Sequence, residues 1–535
     1  MIKLFGCGYF FAACIVGMAT VFGNEAHATT FYVDSLLGND VAAGTTAATP
    51  WRSVSRVNRQ TFQAGDVILF QRGRSWYDVS LKVATSLTIG AYGEGVRPRL
   101  IGSVLHTQWA GENGKMCTDF KHDWDVQLVK DYQRGYYKKV LTSLADVVAG
   151  SFFYDKLSQR ICLIPYDGRD PRIATMLIGN RNHIIELQRV KGINLEVRDM
   201  ELSYANRFAI SPWWQGGAVS YGSVVIENCE FIGNAFSAIA LSGSATYDRV
   251  LIANNRIIEN GAEGIYIGVN AVSNQIDIVD NRIGDANDVW FGWRGEGVAS
   301  AFNGDGIDVK HGNRRVSILR NKVTNVDGLG ITTQSGGSIL TDNIVINAHL
   351  AGALTACLSA DVQGRDADLQ TIISRNRIYG SKCNGIVLRG DAVLAPPVRV
   401  EDNEISLIGN YGAAQINLES MNNANMTIRN NRGDGGAYGL YIYGMPPQNL
   451  RVENNKFYGV ERALYLMPNK LEGMSLVGNE VCETTSIIIE WRNGELVTDL
   501  TAALKRLNAS GGIRRIQCLP PGAPGRVRVQ GTGVP

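Results

Sequence analysis

The stretch Asn303-Gly304-Asp305-Gly306-Ile307-Asp308-Val309-Lys310-His311-Gly312-Asn313 holds two carboxylates, an amine and an imidazole. Joined by Glu263 from the preceding repeat, and by Asp327, these carboxylates could bind a calcium ion through oxygen. A carboxylate pair could equally act as acid and nucleophile on a glycosidic bond. The cations suggest another chemistry. β-Elimination on a polyuronate requires the uronate carboxylate to be neutralised and a base to take the neighbouring proton. Lys310 and Arg389 are candidates for the base, with Asp305, Asp308 and Glu263 holding charge or metal. Lys310 with Asp308, and Arg389 with Glu419, would also make ordinary surface ion pairs. His311 could donate a proton or cap a turn.

These residues lie more than a hundred positions apart, so a repeating scaffold must bring them together. One phrase recurs: an alternating apolar run, an Asn, a polar residue and another apolar residue. It is seen at Val225-Ile226-Glu227-Asn228, around Asn255, Asn281 and Asn321, and then near Asn343, Asn376, Asn403, Asn431, Asn455 and Asn479. A second strand of the form Gly-apolar-x-apolar follows most phrases, at Gly264, Gly306, Gly330, Gly352, Gly385 and Gly439. Short period-2 strands joined by tight turns, with no helix between them, describe one coil of a parallel β-helix rather than a βαβ unit. An Asn at a corner tolerates left-handed backbone, and its amide can hydrogen-bond to the next coil.

Stacking the second strands in register puts equivalent positions about 4.8 Å apart and alternates side chains inward and outward. The outward position of Asp308 is then filled in successive coils by Ser211, Ala240, Tyr266, Asp308, Thr332, Leu354, Val387, Asn417, Tyr441 and Tyr465. That of Lys310 is filled by Trp213, Ser242, Gly268, Lys310, Gln334, Ala356, Arg389, Glu419, Tyr443 and Met467. Aromatic residues flank a charged middle, which suits sugar rings stacked at either end of ionic groups. The longest step, 40 residues between Asn281 and Asn321, contains Trp290, Trp293 and Arg294 as a wall for this groove. The 33-residue step supplies Asp361, Arg365, Asp366 and Asp368 as an opposite wall or a solvated loop. The substrate-binding set is therefore Trp213, Tyr266, Trp290, Trp293, Arg294, His311, Gln334, Asn417, Glu419, Tyr441 and Tyr443.

The N-terminal stretch Thr30-Phe31-Tyr32-Val33-Asp34, with Gly38-Asn39-Asp40, Pro50-Trp51-Arg52-Ser53 and Gly65-Asp66-Val67-Ile68-Leu69-Phe70, resembles the cap and first coil of the pectate-lyase-like β-helix superfamily. With the repeats, that resemblance spans nearly the whole chain after the leader and implies fold more than function. Asp305-Gly306-Ile307-Asp308-Val309-Lys310 resembles the DGFAxK-type segment of family 9 polysaccharide lyases, whose Asp binds calcium. Val326-Asp327-Gly328-Leu329-Gly330 has one Asp where that family pairs them, and Asn384-Gly385-Ile386-Val387-Leu388-Arg389 has Val387 where its base Lys stands. Asn303-Gly304-Asp305-Gly306-Ile307-Asp308 also resembles the NTDGID motif of polygalacturonase-type hydrolases, without their GDD, GHG or RIK.

Composition and the chain ends complete the expectation. Gly is abundant at 60 of 535 residues and only 19% are charged, as many short strands and tight turns require. Met1-Ile2-Lys3, an apolar run to Phe22 and Ala26-His27-Ala28 read as a secretory signal over residues 1–28, cleaved after Ala28, and too short an apolar run for a membrane span. The net charge of +2 argues against nucleic acid as a partner. The seven cysteines beyond the leader are irregularly spaced and read as isolated buried thiols, with one or two bridges in an oxidising compartment.

The expected organisation is an all-β, right-handed parallel β-helix. A cap and first coils occupy 29–110, a small inserted β subdomain 111–180, the coils carrying the site 181–490, and a cap helix with a loose Gly/Pro-rich tail 491–535. Thr498 to Asn508 places Leu500, Ala503, Leu504 and Leu507 on one helical face. The expected protein is secreted or periplasmic and meets a polysaccharide. The leading expectation is a lyase of an acidic, uronate-containing polymer; a glycoside hydrolase and a non-catalytic glycan-binding protein are the alternatives.

Overall fold

The computed structural model describes residues 28–518 apart from 213–216, 269–270, 285–303, 349–355, 363–368, 381–382, 391–396, 408–411, 422–424, 445–446, 448, 467–473, 484–488, 492–495, 500, 503–504 and 506–509. The leader to His27, Trp213, Trp290, Trp293, Arg294, Leu354, Met467, the loop acids Asp366 and Asp368 with Arg365, and the four apolar residues of the expected cap helix lie outside the described residues.

Parallel strands wind into about 13 right-handed turns with almost no helix. One ladder of 14 strands starts at Leu81–Val83 and continues through His183–Leu187, Phe208–Pro212, Ile239–Leu241, Ile265–Ile267, Ile307–Val309, Ile331–Thr333, Ala356–Asp361, Asn384–Arg389, Ala414–Glu419 and Tyr438–Tyr443. The other faces of each coil are ladders such as Val250–Ile276–Val316 and Ile257–Ile283–Val323. Inward positions form continuous aliphatic stacks: Ile265, Ile307, Ile331, Leu358, Ile386, Ile416 and Leu440 are register neighbours and all fully buried. At about 25 cal/mol per Å² removed from water, such stacks supply the main stabilisation of a solenoid. The glycine before each strand permits close approach: a Cβ on Gly306 would lie 2.4 Å from Val323 Cγ1 and 2.5 Å from the Gly330 carbonyl oxygen.

The Asn of the repeat divides its two expected duties between neighbouring positions. Left-handed backbone falls on the residue before it, as at Asn254 (φ 56°), Asp280 (58°), Arg320 (55°), Asp342 (59°) and Arg375 (52°). The Asn itself is buried and builds an amide ladder from Asn255 to Asn479. Asn321 is typical: its Nδ2 donates to Asn343 Oδ1 at 3.1 Å and to the Ile278 carbonyl at 2.8 Å, while its Oδ1 accepts from Asn281 N and Nδ2, each at 3.0 Å. In the coil of Asn228 the ladder position is taken by Cys229, whose backbone N donates to Asn255 Oδ1, so the phrase there is offset by one residue.

The cysteines correct the reading from spacing. Three pairs form, Cys117–Cys162, Cys357–Cys383 and Cys482–Cys518, leaving Cys229 free and buried. Strand register rather than spacing brings the thiols together: Cys117 and Cys162 face each other across antiparallel strands of the insertion, and the other two pairs join coils of unequal length. Such bridges persist in oxidising compartments. No helix among the described residues is long and apolar enough to cross a membrane.

Residues Ser103–Gly179 leave the solenoid and form a four-stranded and a five-stranded sheet around their own core, which includes Trp109, Phe152, Ile161 and Leu163. They are clamped to the coils. Gln127 N donates to Asn206 Oδ1 at 2.7 Å, Tyr136 Oη to Glu259 Oε2 at 3.0 Å, and Lys130 Nζ lies 3.8 Å from Glu259 Oε2. At the far end of the described residues Ser510–Arg515 pairs in parallel with Ser475–Glu483, and Cys518 is tied back to Cys482; the expected loose tail beyond it lies outside the described residues.

Candidate functional site

The ladder that begins at Leu81–Val83 presents the outward rows expected from the repeat, with one change of register. Tyr266, Asp308 and Thr332 are successive partners, as are Val387, Asn417, Tyr441 and Tyr465. Between them stands Ser359, not Leu354, because the strand of that coil runs Ala356–Asp361 and lies later than Gly352 suggests. The Lys310 row is shifted with it. Ala356 pairs with Asn384, and the outward place beside Arg389 belongs to Asp361. The row therefore reads Lys310, Gln334, Asp361, Arg389, Glu419, Tyr443. The alternation Leu358-Ser359-Ala360-Asp361, matching Ile386-Val387-Leu388-Arg389, is the signal that would have placed Asp361.

Strand alternation and ion pairing set the geometry of the middle. Lys310 Nζ lies 2.7 Å from Asp308 Oδ2, and Arg389 Nε donates to Glu419 Oε2 at 2.6 Å. Asn417 Nδ2 donates to Glu419 Oε1 at 2.9 Å, so both oxygens of Glu419 are engaged. Both expected ion pairs therefore form. Burial lowers the Lys310 ammonium, but the Asp308, Asp305 and Tyr266 side chains outweigh it and hold it above its usual range. Lys310 is thus a firm cation.

Asp361 differs from the other acids. Burial pushes it up; Arg389 and Lys310 draw it down, Glu419 and Asp308 push it up again, and it comes to rest at about 6. Such a carboxyl can hold or release a proton near neutrality.

Asp305 and Asp308 stand behind this row rather than on it. Asp305 is fully enclosed and accepts a 2.6 Å bond from Leu329 N, and burial with the nearby Asp308 and Glu263 pushes its carboxyl well above the usual range. Asp308 is only 1% exposed and is likewise raised by burial, against the pull of Lys310. Glu263 is the register neighbour of Asp305 and accepts a bond from Ser237 Oγ at 2.7 Å; Asp327 is buried in the coil after Asp305. Among the described residues no three such groups converge as metal ligands.

The aromatic ends are unequal. At one end Tyr438, Tyr441 and Tyr465 cluster with ring centroids 4.8 to 5.4 Å apart, and Tyr443 is 48% exposed beside them. Burial and the neighbouring tyrosines push the Tyr441 hydroxyl to about 12, so it stays a hydrogen-bond donor. At the other end Tyr266 occupies its expected place but is buried with Phe208, Ala240 and Phe236, offering no open ring face. His311 is exposed, its Nδ1 3.4 Å from Gln334 Oε1.

Comparison with known proteins bears on the fold. No curated protein matches the chain. Among solved structures, XylC, described in its complex with xylose, is 14% identical with a TM-score of 0.50, over 80% of this chain and 75% of that one. A GH136 lacto-N-biosidase from Eubacterium ramulus is 13% identical with a TM-score of 0.34, over 91% and 68%. A structure described as a glycoside hydrolase is 11% identical with a TM-score of 0.36, over 91% and 99%. The family model described as a right handed beta helix region matches residues 173–301 and 359–495, and with the solenoid of about 13 turns it places the chain among the right-handed parallel β-helix proteins of PbH1-like repeats.

Proposed function

We propose that the outward row from Lys310 to Tyr443 is the catalytic face of a secreted or periplasmic enzyme that cleaves a polysaccharide by hydrolysis. The observation that carries this reading is Asp361: a carboxyl pushed up to about 6, set in the row between Lys310 and Arg389. It acts as the general acid that protonates the leaving oxygen. Glu419, two coils on, is the base that activates water. Two coil steps separate their backbones by about 10 Å, nearest to the wider carboxylate spacing that leaves room for water and inverts the anomeric centre. The Tyr438–Tyr465 cluster receives a sugar ring, and Asp308 positions Lys310 toward the substrate.

A second reading, elimination on a uronate polymer, is favoured by the two cations on either side of Asp361. Lys310 and Arg389 would neutralise the uronate carboxylate. As the base, however, Lys310 is poorly suited, since its partners hold its proton, and Arg389 is engaged by Glu419. The test is incubation of the purified protein with a panel of acidic and neutral polysaccharides. New reducing ends without ultraviolet absorbance are expected. Absorbance from an unsaturated sugar would replace hydrolysis by elimination, and binding without new ends would leave a glycan-binding protein.

A further inference from the structure

The row of Asp308, which lies behind that of Lys310 on the same ladder, does not stop at Tyr266. It continues back through Ala240 and Ser211 to Glu186 and Lys82, which are register partners on the first coils of the ladder. There the inserted subdomain overhangs the same face. Lys121, His122, Asp123, Trp124 and Gln159 from the insertion meet Lys82, Arg181, His183 and Glu186 from the solenoid around a cleft of about 830 Å³, within the size range of small-ligand sites.

We propose that this cleft is a second binding site, which holds one sugar unit of an acidic polysaccharide at a distance from the cleavage point. Trp124 lines it with 40% of its surface open. The Arg207 guanidinium, 5.5 Å from its ring centroid, fixes the indole. A fixed, open indole is a stacking surface for a pyranose ring. Burial raises the Glu186 carboxyl, against the pull of Gln188 and Lys82, and the group lines the cleft as a partner for sugar hydroxyls. Arg181 is taken up by Asp78 at 2.8 Å. Lys82 and Lys121 line the cleft beside Asp123 and Glu186, and their ammonium groups are the partners it offers a sugar carboxylate. The clamp of the insertion onto Asn206 and Glu259 makes the cleft preformed, so little ordering cost falls on binding. Four coil steps from Glu186 to Asp308, and six to Asp361, put the cleft about 19 and 29 Å from the row's charged middle. A polymer lying along the face would reach both. The sugar class rests on the reading of that middle as a polysaccharide site; the cleft itself does not.

The test is calorimetric titration of the full chain, carrying Asp361→Asn to spare the polymer, with oligomers of galacturonate, mannuronate and glucuronoxylan and with neutral xylan oligomers. Saturable binding of an acidic oligomer is expected, weakened at least tenfold by Trp124→Ala and severalfold by Lys82→Ala, an exposed change that leaves the core untouched. Absence of saturable binding across the panel, or affinity within twofold of the parent in both variants, overturns the cleft. Oligomers cut during the titration would instead count against Asp361 as the acid, leaving the binding result to stand by itself.

Discussion

Asp361 and Arg389 stand opposite each other as register partners on adjacent coils: an acid pushed up to about 6, beside a guanidinium that is itself held by Glu419. An acid that must carry its proton when the glycosidic bond breaks works below its pKa. Turnover should therefore fall as pH rises through about 6. Asp361→Asn has no proton to deliver and should lower kcat by about 10² to 10⁴, measured as reducing ends released per enzyme with substrate in excess.

The same pair sets a directional test. Arg389 lowers the Asp361 pKa and Glu419 raises it. Arg389→Ala should move the descending limb of the pH–rate profile to higher pH, and Glu419→Gln should move it lower while also removing the base. If Asp361 were only a surface acid, both limbs would stay where they are in the parent.

Stability should report the same acid without any substrate. Asp361 binds its proton more tightly folded than unfolded, so between about 4 and 6 the native state carries more protons. The stability this contributes is fully present below pH 4 and is lost as pH rises through about 6. Asp361→Asn should remove that slope and raise stability at pH 7 by on the order of 2 kcal/mol, seen as a higher urea midpoint at pH 7 and little change at pH 4. A variant both inactive and more stable is the pattern of a functional acid.

The coils were legible because each repeats a short phrase whose apolar period and Asn are both structural requirements. Where a strand starts within its coil was less legible. Gly352-Ala353 looks like the Gly-apolar pair of Gly306-Ile307, yet the paired strand begins at Ala356, and a shift of a few residues moved Asp361 from a presumed loop into the row. Lys310, Arg389 and Glu419 were found because their coils keep the regular phrase. Burial was not legible: Tyr266 and Asp308 hold their expected places, but Tyr266 is buried among Phe208, Ala240 and Phe236 and Asp308 is 1% exposed, which their places in the repeat do not reveal. The Cys357–Cys383 and Cys482–Cys518 bridges were hidden for the same reason as the register, since unequal coil lengths scramble their spacing.

The amide ladder predicts large costs for one small change. Asn321→Ala removes the acceptor of Asn281 N and Nδ2 and the donor to Ile278 O and Asn343 Oδ1. Buried groups left unpaired cost about 1–3 kcal/mol each, so a loss of at least ~3 kcal/mol is expected by urea unfolding. Because each coil contacts mainly its neighbours, hydrogen exchange should accelerate first in the coils of Asn281 and Asn343 and least near Asn479.

The Cys357–Cys383 bridge joins the coil that carries Asp361 to the coil that carries Arg389. Its 26-residue separation gives about 3.5 kcal/mol of stabilisation in the chain-entropy account. Replacing both by Ser should lower the unfolding free energy by that amount and, unlike other losses of stability, should also lower turnover at temperatures where the fold is intact, because the spacing of Asp361 from Arg389 and Glu419 is then held by strand pairing alone. The matched double substitution at Cys482 and Cys518, on the last coils, should lose stability and keep turnover. Equal effects of the two on turnover would mean that the bridge stabilises the solenoid without positioning the acid.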